Sequence, residues 1–236
     1  MTVSKKAMSE QVRAMFAEIA PRYDTANTAL SFGIHHLWRK YVVQRSGVQD
    51  GMRVLDCATG TGDLAIAFKR AVGARGTVVG TDFCAEMMET APTKSRAAGL
   101  DIRFEVADAM NLPYEPHSFD VASISFGIRN VDDPVQALRS MAGVVRSGGK
   151  VIVLEFGQPH GIFGALYRWY SNSIIPIVGG LLTGKRDAYS YLNRTAAAFP
   201  SGDKFIALMH QADVFSSCVA TPLTFGVAYV YVGVVR

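Results

Sequence analysis

The sequence predicts an α/β fold: a doubly wound, seven-stranded and mostly parallel sheet ending in an antiparallel strand pair. Three observations carry this expectation. From Arg53 to Phe156, short apolar runs of strand length alternate with stretches of helix length. A pair of glycines follows the first run and precedes a helix. Near the C-terminus two extended runs are separated by almost nothing, a link that permits only antiparallel pairing. The 236 residues are 49% apolar and 19% charged, enough for one hydrophobic core and incompatible with a disordered chain.

Taken in order, Val12, Met15, Phe16 and Ile19 fall at helical spacing, so residues 1–50 are expected to form an arm that opens with an amphipathic helix. The core, residues 51–156, contains the apolar runs 53–58, 77–82, 102–108, 119–126 and 150–156. Segments 64–72, 85–98 and 134–145 have the length of connecting helices. Residues 157–200 are rich in aromatics and glycine and lack clear periodicity. Their place after the carboxyl end of a parallel strand predicts a lid over a ligand crevice, the alternative being an extra helical pair that completes the core. Residues 201–236 then supply a helix and the closing strands, 214–221 and 224–235. The whole reads as a single domain without repeats.

The net charge is +4, and the basic residues are scattered, with no run that would track a phosphate backbone; nucleic acid is not an expected partner. Cys57, Cys84 and Cys218 are far apart and form no Cys-x-x-Cys pair, which argues against a disulfide framework and a structural zinc site; no metal is expected. The N-terminal residues lack the apolar core of a secretory signal. The longest apolar zone, Ile174 to Leu182, is interrupted by Pro176, Gly179 and Gly180. A cytoplasmic protein, not integral to a membrane, is the expectation.

The sharpest motif is VLDCATGTGD, Val54 to Asp63. Gly60 and Gly62 let backbone approach a ligand closely while helix N–H groups point toward it. Gly60 to Ala65 also satisfies a relaxed dinucleotide pattern. Two carboxylates separate the readings: Asp56 ends the strand and Asp63 opens the helix, and both would repel a pyrophosphate. S-adenosylmethionine (AdoMet) carries an ammonium and a sulfonium and no phosphate, so the charges favour it. Asp82 ends the second strand, where an acid accepts ribose hydroxyls. Asp108 ends the third, and with the backbone of Ala109 it could receive an adenine ring. Asp63 alone could equally be a helix N-terminal acid meeting the dipole.

These residues resemble the class I AdoMet methyltransferases, a Rossmann-like fold. Over nearly its whole length the chain further resembles the UbiE/MenG family of quinone-ring C-methyltransferases. Tyr23, Asp24, Asn27, Leu30, Ser31, His35 and Trp38 carry one signature, Ile124–Asp133 (ISFGIRNVDD) a second, and Val145–Phe156 (VRSGGKVIVLEF) a third. The chain departs from the pattern at Ala26 (usually Met), Ser147 (usually Pro), Gly157-Gln158-Pro159 (usually Ser-Lys-Pro) and Ala212-Asp213-Val214 (usually Ala-Gly-Phe).

The resemblance implies cofactor contacts at Thr61, Asp82, Asp108, Ala109 and Ser125, beside Asp56, Gly60 and Gly62 of the loop. It implies C-methylation of a prenylated quinol in menaquinone or ubiquinone biosynthesis, demethylmenaquinol to menaquinol first among the candidates. Another small phenolic or prenyl-lipid substrate is the alternative. Arg129 is then expected to stabilise a developing phenolate and Asn130 to orient the ring or a water. Tyr23, Asp24 and His35 are candidates for the proton acceptor or for closing the site.

Ile162, Phe163, Leu166, Trp169, Ile174, Ile175, Ile177, Leu181 and Leu182 could line a prenyl channel or touch the inner face of a membrane, with Lys185 and Arg186 meeting anionic headgroups. A homodimer is compatible with all of this. Rival classes are an NAD(P)-dependent oxidoreductase on the same fold and a non-catalytic partner in a quinone-biosynthesis assembly. The loop acids oppose the first and the intact acids and glycines the second.

Overall fold

Five apolar runs form a parallel array in the computed structural model, which describes residues 13–236 apart from the side chains of Pro21, Tyr23 and Arg186. They are β1 (Arg53–Cys57), β2 (Thr77–Asp82), β3 (Arg103–Val106), β4 (Phe119–Ser125) and β5 (Val145–Phe156). Their spatial order is β3-β2-β1-β4-β5. It is extended by β7 (Ala228–Val235), antiparallel to β5, with β6 (Phe215–Leu223) on the edge. The order reverses between β1 and β4, which opens a crevice at the carboxyl ends of those two strands. Val54, Leu55, Ala122, Ile124 and Val151 to Leu154 are buried, as expected of strands covered on both faces.

One face is covered by α3 (Ile34–Ser46), through Trp38 and Val42, and by α4 (Asp63–Val72), through Leu64, Ala65 and Phe68. On the other lie α6 (Pro134–Val144), through Leu138 and Met141, and α10 (Asp203–Ala212), through Phe205 and Met209. Asp133 starts α6 by accepting the N–H groups of Val135 and Gln136, with Pro134 at a position that needs no N–H.

Proline decides where the connecting helices differ from expectation. The stretch 85–98 is not one helix but a 3₁₀ turn, Ala85–Met88, followed by α5 (Ala91–Ala97). Pro92 lacks an N–H and its ring would strike the carbonyl four residues back, so the helix restarts beside it. The segment after β5, expected to be a lid or an extra helical pair, is helical throughout most of its length. It holds α7 (Gly161–Trp169), a π-helical turn (Tyr170–Ile174), α8 (Ile175–Thr183) and α9 (Arg186–Ala198). The widened turn sits just before Pro176, where a regular helix would clash. Gly179 does not break α8; a Cβ there would come within 2.4 Å of the Tyr189 ring, so the glycine lets α9 pack against it.

The arm comprises a helical stretch through residues 13–19 (α1), a 3₁₀ turn (Ala20–Arg22), α2 (Tyr23–Leu30) and α3. Ile19 is buried as its spacing predicted, while Val12 lies outside the described residues. Tyr170 donates to the carbonyl of Leu30 (2.8 Å) and Arg22 to that of Leu182 (3.2 Å), which ties the arm to the segment after β5. Among the described residues no helix is long and apolar enough to cross a membrane.

Candidate active site

A cavity of about 900 Å³ lies over the carboxyl ends of the central strands. This is the size and the place expected of a small-molecule site on such a sheet. Its wall joins the glycine loop, the strand ends, the arm (Phe16, His35, Trp38) and the α7–α9 segment (Leu166, Trp169, Tyr189).

The loop is tightly built. Gly62 has φ 82°, and a Cβ on it would come 2.9 Å from the Ala91 Cβ, so only glycine fits. Asp82 Oδ2 accepts the Gly60 N–H and Oδ1 the Cys84 N–H, both at 2.9 Å, which fixes the carboxylate at the loop's edge with lone pairs to spare. Burial still pushes its pKa up. Asp56 is 1% exposed and accepts from Thr59 (2.7 Å) and Ser123 (2.6 Å), residues opposite or just beyond it on the sheet. Desolvation pushes its pKa up to about 6, against the two hydroxyls, with Arg39 lowering it and Asp82 raising it. Asp108 Oδ1 accepts the Met110 N–H at 2.8 Å, a turn that presents Ala109 to the cavity; Ser125 lines it as well.

Contrary to expectation, the charge of Asp63 is compensated within the protein. Asp63 does not offer a free carboxylate: Arg39 binds one oxygen at 2.6 Å and Lys94 the other. Lys94 also reaches Asp24 (2.8 Å) and Thr61 (3.2 Å), and Thr61 donates to Asp24 at 2.7 Å. Asp24 is thus brought to the loop, but both its oxygens are engaged. His35 is buried, its Nδ1 2.6 Å from the Ser31 hydroxyl. Burial foremost, then Arg39, lowers its pKa to about 4, so it is neutral and weakly basic at pH 7. The side chain of Tyr23 lies outside the described ones. Lys185 pairs with Glu18 at 2.8 Å, both side chains being half-exposed.

Arg129 and Asn130 share a 3₁₀ turn (Ile128–Asn130) after β4 and line the cavity. The Arg129 side chain is 3% exposed and its Nη1 donates to Glu155 Oε1 at 2.6 Å. Its guanidinium lies over the Phe156 ring, 5.3 Å from the centroid, and Phe156 in turn packs with Phe126 and Trp38. Arg129 Nε, Asn130 Oδ1 and Glu155 Oε2 are buried with no hydrogen-bond partner among the described residues. Sequence reasoning missed Glu155, Arg39, Lys94 and Ser123. Of these only Glu155 left a signal, a lone acid in the apolar strand VIVLEF.

Asp82 ends β2 and Asp108 lies two residues past the end of β3, which stops short of the expected 108. No cation donates to either among the described residues, while Asp56 lies beneath the loop with hydroxyl partners only. Such a set suits a ligand that brings positive charge and hydroxyls, and opposes a pyrophosphate. Gly60 and Gly62 leave room beside it. AdoMet fits this chemistry.

The family model described as the ubiE/COQ5 methyltransferase family matches residues 1–235. The chain belongs to this family. Its relatives include the ubiquinone/menaquinone biosynthesis C-methyltransferase UbiE of Bdellovibrio bacteriovorus, 56% identical, with 96% of this chain and 97% of that protein covered. A demethylmenaquinone methyltransferase of Thermus thermophilus is 45% identical over 93% of this chain and 99% of its own length. Among solved structures, a SAM-dependent methyltransferase from Thermotoga maritima superposes with a TM-score of 0.68 at 19% identity, covering 95% of this chain and 100% of that one. At that identity the likeness concerns the fold. As a ubiE/COQ5 methyltransferase, the protein is an AdoMet-dependent C-methyltransferase.

Proposed function

We propose that the protein methylates a ring carbon of a prenylated quinol, demethylmenaquinol to menaquinol, in quinone biosynthesis. Glu155 Oε2 is also buried without a partner among the described residues, but Glu155 does not line the cavity. The observation that carries this reading is the pair Arg129 Nε and Asn130 Oδ1, buried and unpartnered on two residues that do line an otherwise largely apolar cavity. One is a donor and the other an acceptor, the complement of an aromatic hydroxyl that gives one hydrogen bond and receives one. Leaving either unpaired is unfavourable, so a ring hydroxyl is a fitting occupant. The names of the UbiE and demethylmenaquinone methyltransferase relatives support the same substrate class.

Bound AdoMet supplies an electrophilic methyl group. The chain's own residues must hold the quinol and favour loss of its hydroxyl proton, because a ring carbon becomes a good nucleophile only as the hydroxyl turns phenolate-like. Arg129 stabilises that charge in a site shielded from water. Asp82, Asp108, Ala109, Ser125, Asp56 and the Gly60–Gly62 loop hold AdoMet. The Thr61 hydroxyl is engaged by Asp24, so Thr61 contributes through the loop. Tyr23 and His35 are the arm's candidates for receiving the proton, His35 a weak one because burial lowers its pKa to about 4, and Asp24 secures the arm.

Residues 1–50 and 157–200 act as arm and lid over the core. Phe163, Leu166, Trp169, Tyr170 and Ile175 line the apolar end of the cavity and suit a prenyl tail. Leu166 and Trp169 are also 60% and 59% exposed, beside Ile162 and Phe225 at 91% and 82%. Through this rim the protein meets the membrane surface that holds its substrate.

Anaerobic methyl incorporation into demethylmenaquinol, with and without dithionite, tests the reading. Turnover should require the reduced ring. Arg129→Ala should keep AdoMet binding and lose roughly 10²–10³-fold in kcat. Equal rates on quinone and quinol would refute the phenolate mechanism.

A further inference from the structure

We infer that Glu155 is a positioning residue for this reaction: it holds the Arg129 guanidinium by one nitrogen and turns its remaining donor edge toward the ring hydroxyl. The inference rests on the function proposed above. Glu155 is 1% exposed and ends an otherwise apolar strand, an expensive place for a carboxylate without a purpose-built partner. Its Oε1 accepts both Arg129 Nη1, at 2.6 Å, and the Phe156 N–H, at 2.7 Å. The carboxylate is therefore anchored to the backbone at the point where it grips the arginine.

Arg129 lines the cavity, and the grip leaves its Nε, like Glu155 Oε2, buried without a hydrogen-bond partner among the described residues, while Phe156 supports the guanidinium plane from one side. A flexible arginine is thus held in one orientation before substrate arrives. The charges also balance. Burial raises the pKa of Glu155, and Arg129 opposes that most strongly, so the two form a neutral pair. Burial raises the pKa of the Tyr167, Tyr191 and Tyr231 hydroxyls, with Arg129 opposing it at the first two and Glu155 adding to it at the third, so all three stay uncharged. A phenolate forming beside Arg129 then meets a cation already held in place by Glu155.

A purely packing role for Glu155 predicts lost stability and little else. Positioning predicts a loss in kcat that depends on Arg129. The test compares wild type, Glu155→Gln, Glu155→Asp, Arg129→Ala and the Glu155→Gln/Arg129→Ala double variant. Turnover of demethylmenaquinol is followed anaerobically, AdoMet affinity by calorimetry, and the Arg129 side chain by its Nε–Hε resonance. Glu155→Gln should fold, bind AdoMet as wild type does, and lose roughly 10²-fold in kcat, the scale of a misplaced catalytic group, with little change in KM. Its Arg129 Nε–Hε signal should broaden, and Glu155→Asp should restore part of both. In the Arg129→Ala background Glu155→Gln should cost nothing further.

A kcat for Glu155→Gln close to wild type, or losses that simply multiply in the double variant, would overturn the inference while the function stood. Failure of the wild type to methylate any prenylated quinol would overturn the function, and this inference with it.

Discussion

At the scale of single residues, the cavity joins carboxylates that share a position and differ in what holds them. Asp56 has only hydroxyl partners and a pKa pushed up to about 6, from an ordinary 3.8. A carboxyl raised in the folded state favours folding while protonated. Its contribution is full below pH 3.8 and is lost as pH rises through 6, a cost of about 3 kcal/mol at pH 8. Asp56→Asn should therefore raise stability to urea at pH 8 by on the order of 1–3 kcal/mol, a gain that shrinks toward pH 4. AdoMet brings positive charge, so wild-type affinity should climb between pH 5 and 7 and that slope should flatten in the variant. Equal stabilisation at both pH values would show that Asp56 is not the titrating group. Asp82, fixed by two backbone N–H groups, answers a different question. Asp82→Asn should weaken AdoMet by on the order of 2–4 kcal/mol in calorimetry, since ribose hydroxyls lose a charged acceptor.

Among elements, the informative joints are those between arm, core and lid. Lys94 on α5 clamps Asp24 of α2 to Asp63 of α4, with Thr61 between them. Remove the ammonium and two carboxylates face one another across the joint. The Lys94 side chain is 31% exposed, so solvent screens the pair and Lys94→Met should cost only about 1 kcal/mol of global stability. The local effect should be larger. Amide exchange in α2 should accelerate and proteolysis near Arg22 should precede unfolding, while Arg39 still holds Asp63. Unchanged exchange in α2 would mean that Tyr170–Leu30 and Arg22–Leu182 secure the arm unaided.

For the molecule as a whole, the apolar rim and the cavity form one continuous surface. Leu166 and Trp169 line the cavity and face solvent at once, and the proposed function uses this rim as the path of a hydrocarbon tail from a bilayer to the site. Phospholipid vesicles should blue-shift tryptophan fluorescence through Trp169. Leu166→Asp should weaken vesicle binding by about 2 kcal/mol, the value of one buried leucine side chain. Activity on a quinol with a truncated tail should be far less sensitive to that change. Equal vesicle binding by the variant would assign the rim to tail binding alone.

Much of this protein was legible before its structure. The alternation of runs determined a parallel sheet, and that topology forces the carboxyl ends of parallel strands to one edge, so Asp56, Asp82 and Asp108 could be placed in one site from their positions in the chain alone. The motif ISFGIRN likewise put Arg129 and Asn130 at the cavity mouth. The helices within residues 157–200 were not legible one by one, because α8 is apolar on all sides and Pro176 resets the chain between it and α7, which breaks the continuity of the pattern. Only the tertiary structure decided which charges are free. Asp63 meets Lys94, 31 residues on, Asp24 meets the same lysine across 70, and Arg129 meets Glu155 across 26. Local pattern determines where a side chain stands along its own element; whether its charge is compensated depends on groups that only the packing of distant elements brings near.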